Sequence, residues 1–275
     1  MDKKPYLIFV ASQKGGVGKT TIALNLSIAL TYQDYSVLLI DSDVATFSVK
    51  EHLGIQGSGK GYIDAITGKA TVADCIFSYQ PVGLDLILGD TGDDTSGDVT
   101  PDSLNKFYSQ VLKLSYDFII VDGQPGLFNS TIAKYLNDVI IVTTPDNPSA
   151  ISSAKLSSYC EKLKVSHRLL INRTGYSKFE LTREGVERLF GDVAYATMPE
   201  DKIIPESLAK HRPAYMLDRG SGFATAIEAL SRVYMLRVGE PETHTPVGGK
   251  KRRGFFGRFA RWAINDTTNQ DQGQG

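Results

Sequence analysis

One glycine-rich turn, set between a strand-like run and a helical one, confines this chain more than any other feature. It lies in 6-YLIFVASQKGGVGKTTIALNLSIALTY-32. The run Tyr6 to Ala11 is apolar without alternation, as expected of a strand buried on both faces. Gly15, Gly16, Val17 and Gly18 follow, a stretch whose backbone can curl so that successive N–H groups face an anion. A helix opening near Lys19 adds its positive end to the same place. Lys19 and Thr20, with Thr21 beside them, stand where a phosphate-binding loop puts its lysine and its magnesium hydroxyl. A merely flexible strand-to-helix turn is the plain alternative, and the flanking patterns speak against it. One departure stands out: the usual first glycine is replaced by Gln13, and a second lysine, Lys14, comes next.

Further short apolar runs recur at 37–40, 84–88, 118–121, 139–144, 168–171 and 193–196. Helical spacing fills much of the chain between them, at 101–114 and at 149–163, where Ser149 is a candidate cap. The alternation predicts an α/β fold, a doubly wound and mostly parallel sheet flanked by helices, with ligands at the carboxyl ends of its strands. Residues 89–100 read as a solvated Gly/Asp/Thr loop, without the spacing of a calcium loop. A last helix from Ser221 to about Val238 closes a domain over 1–238. A flexible linker over 239–249, a short amphipathic helix over 250–264 and a disordered polar tail over 265–275 are expected to follow.

The net charge is −1, but six basic residues, Lys250, Lys251, Arg252, Arg253, Arg258 and Arg261, crowd one acid-free stretch. Of 30 Lys and Arg that leaves 24 against 31 acidic residues, so the remaining body carries −7. Such a body has no general attraction for nucleic acid. The two cysteines, Cys75 and Cys160, form no C-x-x-C pair, which fits a reducing compartment and speaks against zinc or iron–sulfur ligation. The opening residues superficially resemble a signal peptide, yet the apolar run has the length of a core strand and runs straight into Gln13 and Lys14. No stretch reaches the roughly 18 to 20 apolar residues of a membrane span. The expectation is a cytoplasmic protein.

Two further strands end in acids. In 37-VLLIDSDVATFS-48, Asp41 and Asp43 lie two residues apart, where both reach the strand's carboxyl end. In 118-FIIVDGQPG-126, Asp122 ends an apolar run, placed to face a magnesium ion through its water shell. With the K-G-G-x-G-K-[ST] pattern of Lys14 to Thr20, the sequence from about 4 to 238 resembles the MinD/ParA family of P-loop ATPases. The resemblance implies ATP and Mg2+ as ligands and a homodimer formed on ATP binding. It implies that Lys19 serves its own nucleotide while Lys14 reaches the phosphates held by a second copy. It also implies that Asp41 joins Thr20 and Asp122 in the magnesium and switch network, and that Asp43 orients the attacking water. Val44 and Ala45 depart from the family's usual continuation, and so does Gly123-Gln124. Gln124 either holds a water or faces solvent, solvent being the simpler reading. The family's T-x-P-x-x-x-S turn matches 143–149, and Asn172, Arg173 and the loop around Pro199 correspond to its adenine pocket.

The segment 250-KKRRGFFGRFARWAI-264 joins cations to aromatics. At about 100° per residue, Phe255, Phe259 and Trp262 share a face with Phe256 beside it, Arg261 lies opposite, and Arg258 sits at the border. That suits a helix lying in an anionic membrane surface, and the segment resembles the membrane-targeting helix of the family's MinD branch. A nucleic-acid arm, a helix docking on a partner protein and a segment packing on the body are the alternatives. The leading expectation is an ATP-driven switch, peripheral on the inner face of the cell membrane, that positions a cellular structure with a protein effector or cargo. DNA is the less expected partner. The alternatives are a partition ATPase on DNA, metallocentre insertion and a nucleotide-gated scaffold with negligible turnover.

Overall fold

A computed structural model describes residues 4–43, 48–57, 59–89, 99–126 and 128–239. Eight strands make one sheet: β1 (Tyr6–Ala11), β2 (Val37–Asp41), β3 (Ile76–Tyr79), β4 (Leu84–Ile87), β5 (Phe118–Asp122), β6 (Asp138–Thr143), β7 (His167–Thr174) and β8 (Tyr195–Pro199). Their order is β3-β4-β2-β5-β1-β6-β7-β8, and every pairing is parallel except β3 on β4. The chain therefore winds toward β3 from one side of β1 and toward β8 from the other. The change of direction opens a crevice at the carboxyl ends of β1, β5 and β6, where such sheets bind ligands.

Ten helices complete the described residues: α1 (Lys19–Thr31), α2 (Ser48–Leu53), α3 (Tyr62–Thr67), α4 (Pro101–Val111), α5 (Ser130–Ala133), α6 (Asn147–Lys162), α7 (Arg183–Phe190), α8 (Ile203–Ala209), α9 (Ala214–Leu217) and α10 (Gly222–Val238). Alternate residues of each strand feed two cores. Ile8 and Val10 pack with α1 and α10 on one face, and Leu7, Phe9 and Ala11 pack with α3 to α7 on the other. The strands β1, β2, β5 and β6 are buried along nearly their whole length, which explains their uninterrupted apolar sequence.

Four features differ from the expectation. Strand β3 has a half-exposed pattern and forms an antiparallel edge that no apolar run announces. Strand β8 begins at Tyr195, two residues beyond the expected start at 193, in register with Leu169 of β7. Helix α6 starts at Asn147, capped by Asp146, whose Oδ1 accepts from the Ser149 N–H at 2.9 Å. Ser149 is thus in the first turn and is not the cap. A 3-10 turn and the helices α2, α3, α5, α7, α8 and α9 fill stretches that periodicity left unassigned.

Helix α10 is fixed at both ends. Ser221 caps it, and the Asp201 carboxylate accepts from both Ile203 N and Phe223 N at 3.0 Å, joining its start to α8. At its other end the Tyr35 hydroxyl donates to Gly239 O at 2.6 Å. Between them Tyr234 donates to Asp138 at 3.0 Å, and Arg168 pairs with the same carboxylate at 2.6 Å. The expected linker from 240, the residues expected at a membrane, Phe255, Phe256, Arg258, Phe259, Arg261 and Trp262, and the expected polar tail lie outside the described residues, as does most of the 89–100 loop.

Candidate nucleotide site at the strand ends

The glycine loop leaves β1 and enters α1 with Gly16 and Gly18 at φ +73 and +98, conformations that side chains rarely adopt. A Cβ on Gly18 would also fall 2.3 Å from Asn172 Nδ2. This close approach has a purpose: Asn172 donates to the Val17 carbonyl at 2.8 Å and ties the end of β7 to the loop. A Cβ on Gly15 or Gly16 would meet nothing within 4 Å, so this side of the loop stands open to a ligand.

Lys19 is buried, and its charge acts on Asp122. The Thr20 hydroxyl donates to Asp122 Oδ2 at 2.5 Å, while Asp122 Oδ1 is buried with no partner. Asp41 and Asp122 are register partners on adjacent β2 and β5. Burial pushes both carboxyls up. For Asp122 the neighbouring Asp41 adds to the rise, against the Thr20 hydrogen bond and the Lys19 charge. For Asp41, backbone hydrogen bonds from Val49 and Asp43 work against burial. A buried acid pair with one orphaned oxygen is short of positive charge, which a divalent cation held beside Thr20 and Asp122 would supply. Among the described residues no three His, Cys, Asp or Glu side chains cluster to hold a metal unaided. That suits Mg2+, which commonly leans on phosphates and water besides one or two protein groups. Asp43 is buried next to this pair, its N–H donating to Asp41 Oδ1 at 3.1 Å.

Lys14 faces elsewhere. Its backbone carbonyl accepts from the Ser12 hydroxyl at 2.7 Å, and its ammonium donates to Ser149 Oγ at 3.3 Å. Burial raises the neighbouring Asp146 carboxyl, but hydrogen bonds from Thr144 and Ser149 and the Lys14 charge hold it below the usual range. The segment after β5 is pinned to the same loop, Gly123 N donating to Val10 O at 3.0 Å and Gly126 N to Ser12 O at 3.1 Å. A Cβ on Gly123 would fall 2.3 Å from the Phe9 ring, so the departure at Gly123 follows from the size of Phe9. Gln124 is half-buried.

Thr21 meets His52 of α2 at 3.3 Å, a contact that no motif signalled. Arg173, at φ +63, lies 3.9 Å from Glu200 across half-exposed side chains. Pro199 ends β8 opposite Thr174. The site thus gathers Lys14, the loop from Gly15 to Thr21, Asp41, Asp43, Asp122 and Asn172, with Arg173 and Pro199 on its flank. Sequence reasoning missed Ser12, His52 and Asp146, and it misread Ser149. The T-x-P-x-x-x-S spacing was the one available signal for Ser149.

A family model described as ParA, NUBPL iron-transfer P-loop NTPase, matches residues 4–200. An uncharacterized ATP-binding protein of Methanocaldococcus jannaschii is 25% identical over 92% of this chain and 95% of its own. The flagellum site-determining protein YlxH of Helicobacter pylori is 36% identical over 54% of this chain and 50% of its own. Among solved structures, the septum site-determining protein MinD of Pyrococcus horikoshii, complexed with Mg-ADP, superposes with a TM-score of 0.76 at 27% identity. That match covers 85% of this chain and 97% of the other.

Proposed function

Because the chain belongs to the ParA family of P-loop NTPases, we propose that it is an ATP-hydrolysing switch in which ATP and Mg2+ bring two copies together. The pair holds to an anionic membrane surface through residues 250–264, and hydrolysis lets it go. On this reading the protein works in the cytoplasm and on the inner face of the cell membrane. There it positions a cellular structure, such as the division site, with a protein effector or cargo.

The observation that supports this best is that the two lysines of one loop have separate surroundings. Lys19 is buried beside Asp122, whereas Lys14 rests on Ser149 of α6. The loop N–H groups and Lys19 hold the phosphates of the bound nucleotide, and Thr20, oriented by Asp122, turns its hydroxyl oxygen to the metal. Bound Mg2+ supplies positive charge over the phosphate oxygens. Asp43 accepts a hydrogen bond from the attacking water and aims it. Lys14 leaves Ser149 and adds its charge to the phosphates of the other copy, so that turnover requires association.

The iron-transfer wording of the family description raises a second reading. The chain has two cysteines, and both are buried. Cluster carriage requires accessible thiolates, so the switch is the better supported reading. A body of −7 weighs against DNA as the surface.

Flotation with anionic vesicles tests the proposal, using ATP or ADP and the full chain beside one ending at Gly249, with a DNA co-sedimentation arm. Each basic residue near such a surface contributes up to ~1 kcal/mol before screening. Two tails in one dimer then raise binding by ~10²-fold or more through avidity. The full chain should float with ATP only, and the shortened chain should not float. Equal flotation of the two chains rejects the membrane reading.

A further inference from the structure

Between β7 and α7 the chain makes a loop, residues 175–181, whose side chains are turned out in an unusual way. Tyr176 is 81% exposed and Phe179 is 84% exposed, two of the three most exposed large apolar side chains among the described residues. Scattered exposed apolar residues are ordinary; two aromatics on one braced loop are less so. The brace is Glu180. Its carboxylate accepts from Gly175 N at 2.9 Å, Tyr176 N at 2.7 Å and Ser177 N at 2.8 Å. Lys178 lies 5.2 Å from the Phe179 ring centre. The backbone cost of ordering the loop is thus met before anything binds.

The loop's position says what it meets. Its last residue, Leu181, donates to the Pro145 carbonyl at 2.8 Å. Pro145 precedes Asp146, which caps α6 and stands beside Ser149 and Lys14. The aromatic loop is therefore tied to the corner of the molecule from which Lys14 departs. We infer that Tyr176 and Phe179 extend the surface on which a second copy of this chain docks, the braced loop supplying an apolar anchor beside the bridging lysine. This rests on the proposal that Lys14 acts across a dimer.

The areas agree. Two aromatic side chains bury on the order of 300 Å² or more, against roughly 800 Å² per partner in a stable interface. Aromatic anchors of this kind often carry a large share of binding energy. In a twofold pair both loops engage at once, so the anchor counts twice.

The test is the dimer dissociation constant of the full chain, measured by sedimentation with Mg2+ and a non-hydrolysable ATP analogue. Tyr176→Ser combined with Phe179→Ser should weaken dimerisation at least tenfold while leaving the affinity of the monomer for ADP within twofold. Tyr176→Phe combined with Phe179→Tyr should dimerise as the unaltered chain does. Glu180→Gln, which loosens the brace and keeps both rings, should give a smaller loss. If the unaltered chain dimerises and the double serine variant matches it within twofold, the inference about the loop is wrong and the dimer stands. If the unaltered chain stays monomeric with the analogue, the dimer and the loop's role both fall. If the serine variant keeps its dimer but floats less with anionic vesicles, the loop faces lipid and the inference is overturned.

Discussion

The Lys14 ammonium donates to the Ser149 hydroxyl at 3.3 Å, bridging parts of the chain 135 residues apart. A cation at a helix N-terminus is opposed by the helix dipole, so this contact depends on Ser149 and on the Asp146 carboxylate beside it. At 3.3 Å it is a weak hold. We expect Lys14→Ala to keep monomeric ATP binding and to lose ATP-dependent dimerisation and hydrolysis. Ser149→Ala should cost about 1 kcal/mol of stability or less and leave dimerisation in place. Lys19→Ala should abolish nucleotide binding. Titration of labelled ATP and gel filtration decide the matter: equal loss of affinity in both lysine variants, with the Lys14 dimer intact, removes the in-trans role.

Asp43 lies buried beside the Asp41–Asp122 pair, its N–H on Asp41, while the Thr20 hydroxyl goes to Asp122. Its loss should leave binding largely intact while turnover falls by ~10²- to 10³-fold, the scale of one well-placed catalytic contact. Asp43→Ala is therefore expected to accumulate as an ATP-bound dimer. A variant that stays monomeric with ATP on gel filtration would place Asp43 in binding or folding.

Phe9 and Gly123 form a size-matched pair, since a methyl on Gly123 would fall within 2.3 Å of the ring. Gly123→Ala should destabilise the protein by ~1 to 3 kcal/mol, the usual cost of overpacking. Adding Phe9→Leu should return part of that loss, a coupling that a double-mutant cycle measured by denaturant unfolding would reveal. Strict additivity of the two changes would mean that the backbone shifts to absorb the methyl.

Both thiols are shielded, and burial, followed by the charge of Asp138, pushes Cys160 up to about 12. Native protein treated with iodoacetamide near pH 8 should show no labelled cysteine by mass spectrometry, and two labels once unfolded in guanidinium. Rapid native labelling would reopen the reading in which the thiols carry a cluster.

Much of the frame could be read directly from the chain. Strands such as Ile119 to Val121 are apolar because both faces of the sheet are covered, and that leaves an unbroken run in the sequence. The edge strand β3 escaped because Phe77 and Ser78 are exposed, so its pairing with β4 comes from the backbone and leaves no pattern. The start of α6 was misplaced for a local reason: Pro148 fits the first helical turn, which moves the cap back to Asp146. In the candidate site, the meeting of Thr20 with Asp122 was legible from their spacing relative to two strands, β1 and β5. Ser149 and His52, the partners of Lys14 and Thr21, are common residue types brought in from a distance, and apart from the T-x-P-x-x-x-S spacing neither carries a signal.

Helix α10 begins where Asp201 takes the Phe223 N–H, beside Pro199 at the carboxyl ends of the strands. It finishes where Tyr35, just before β2, clasps Gly239 at their opposite ends. Seventeen residues make a strut of roughly 26 Å, welded to the sheet about one turn from its end by Tyr234 and Asp138. The body is therefore polar in the mechanical sense. The candidate site lies at one pole, and the chain leaves from the other, at the far end of a rod bonded to the body near both of its tips.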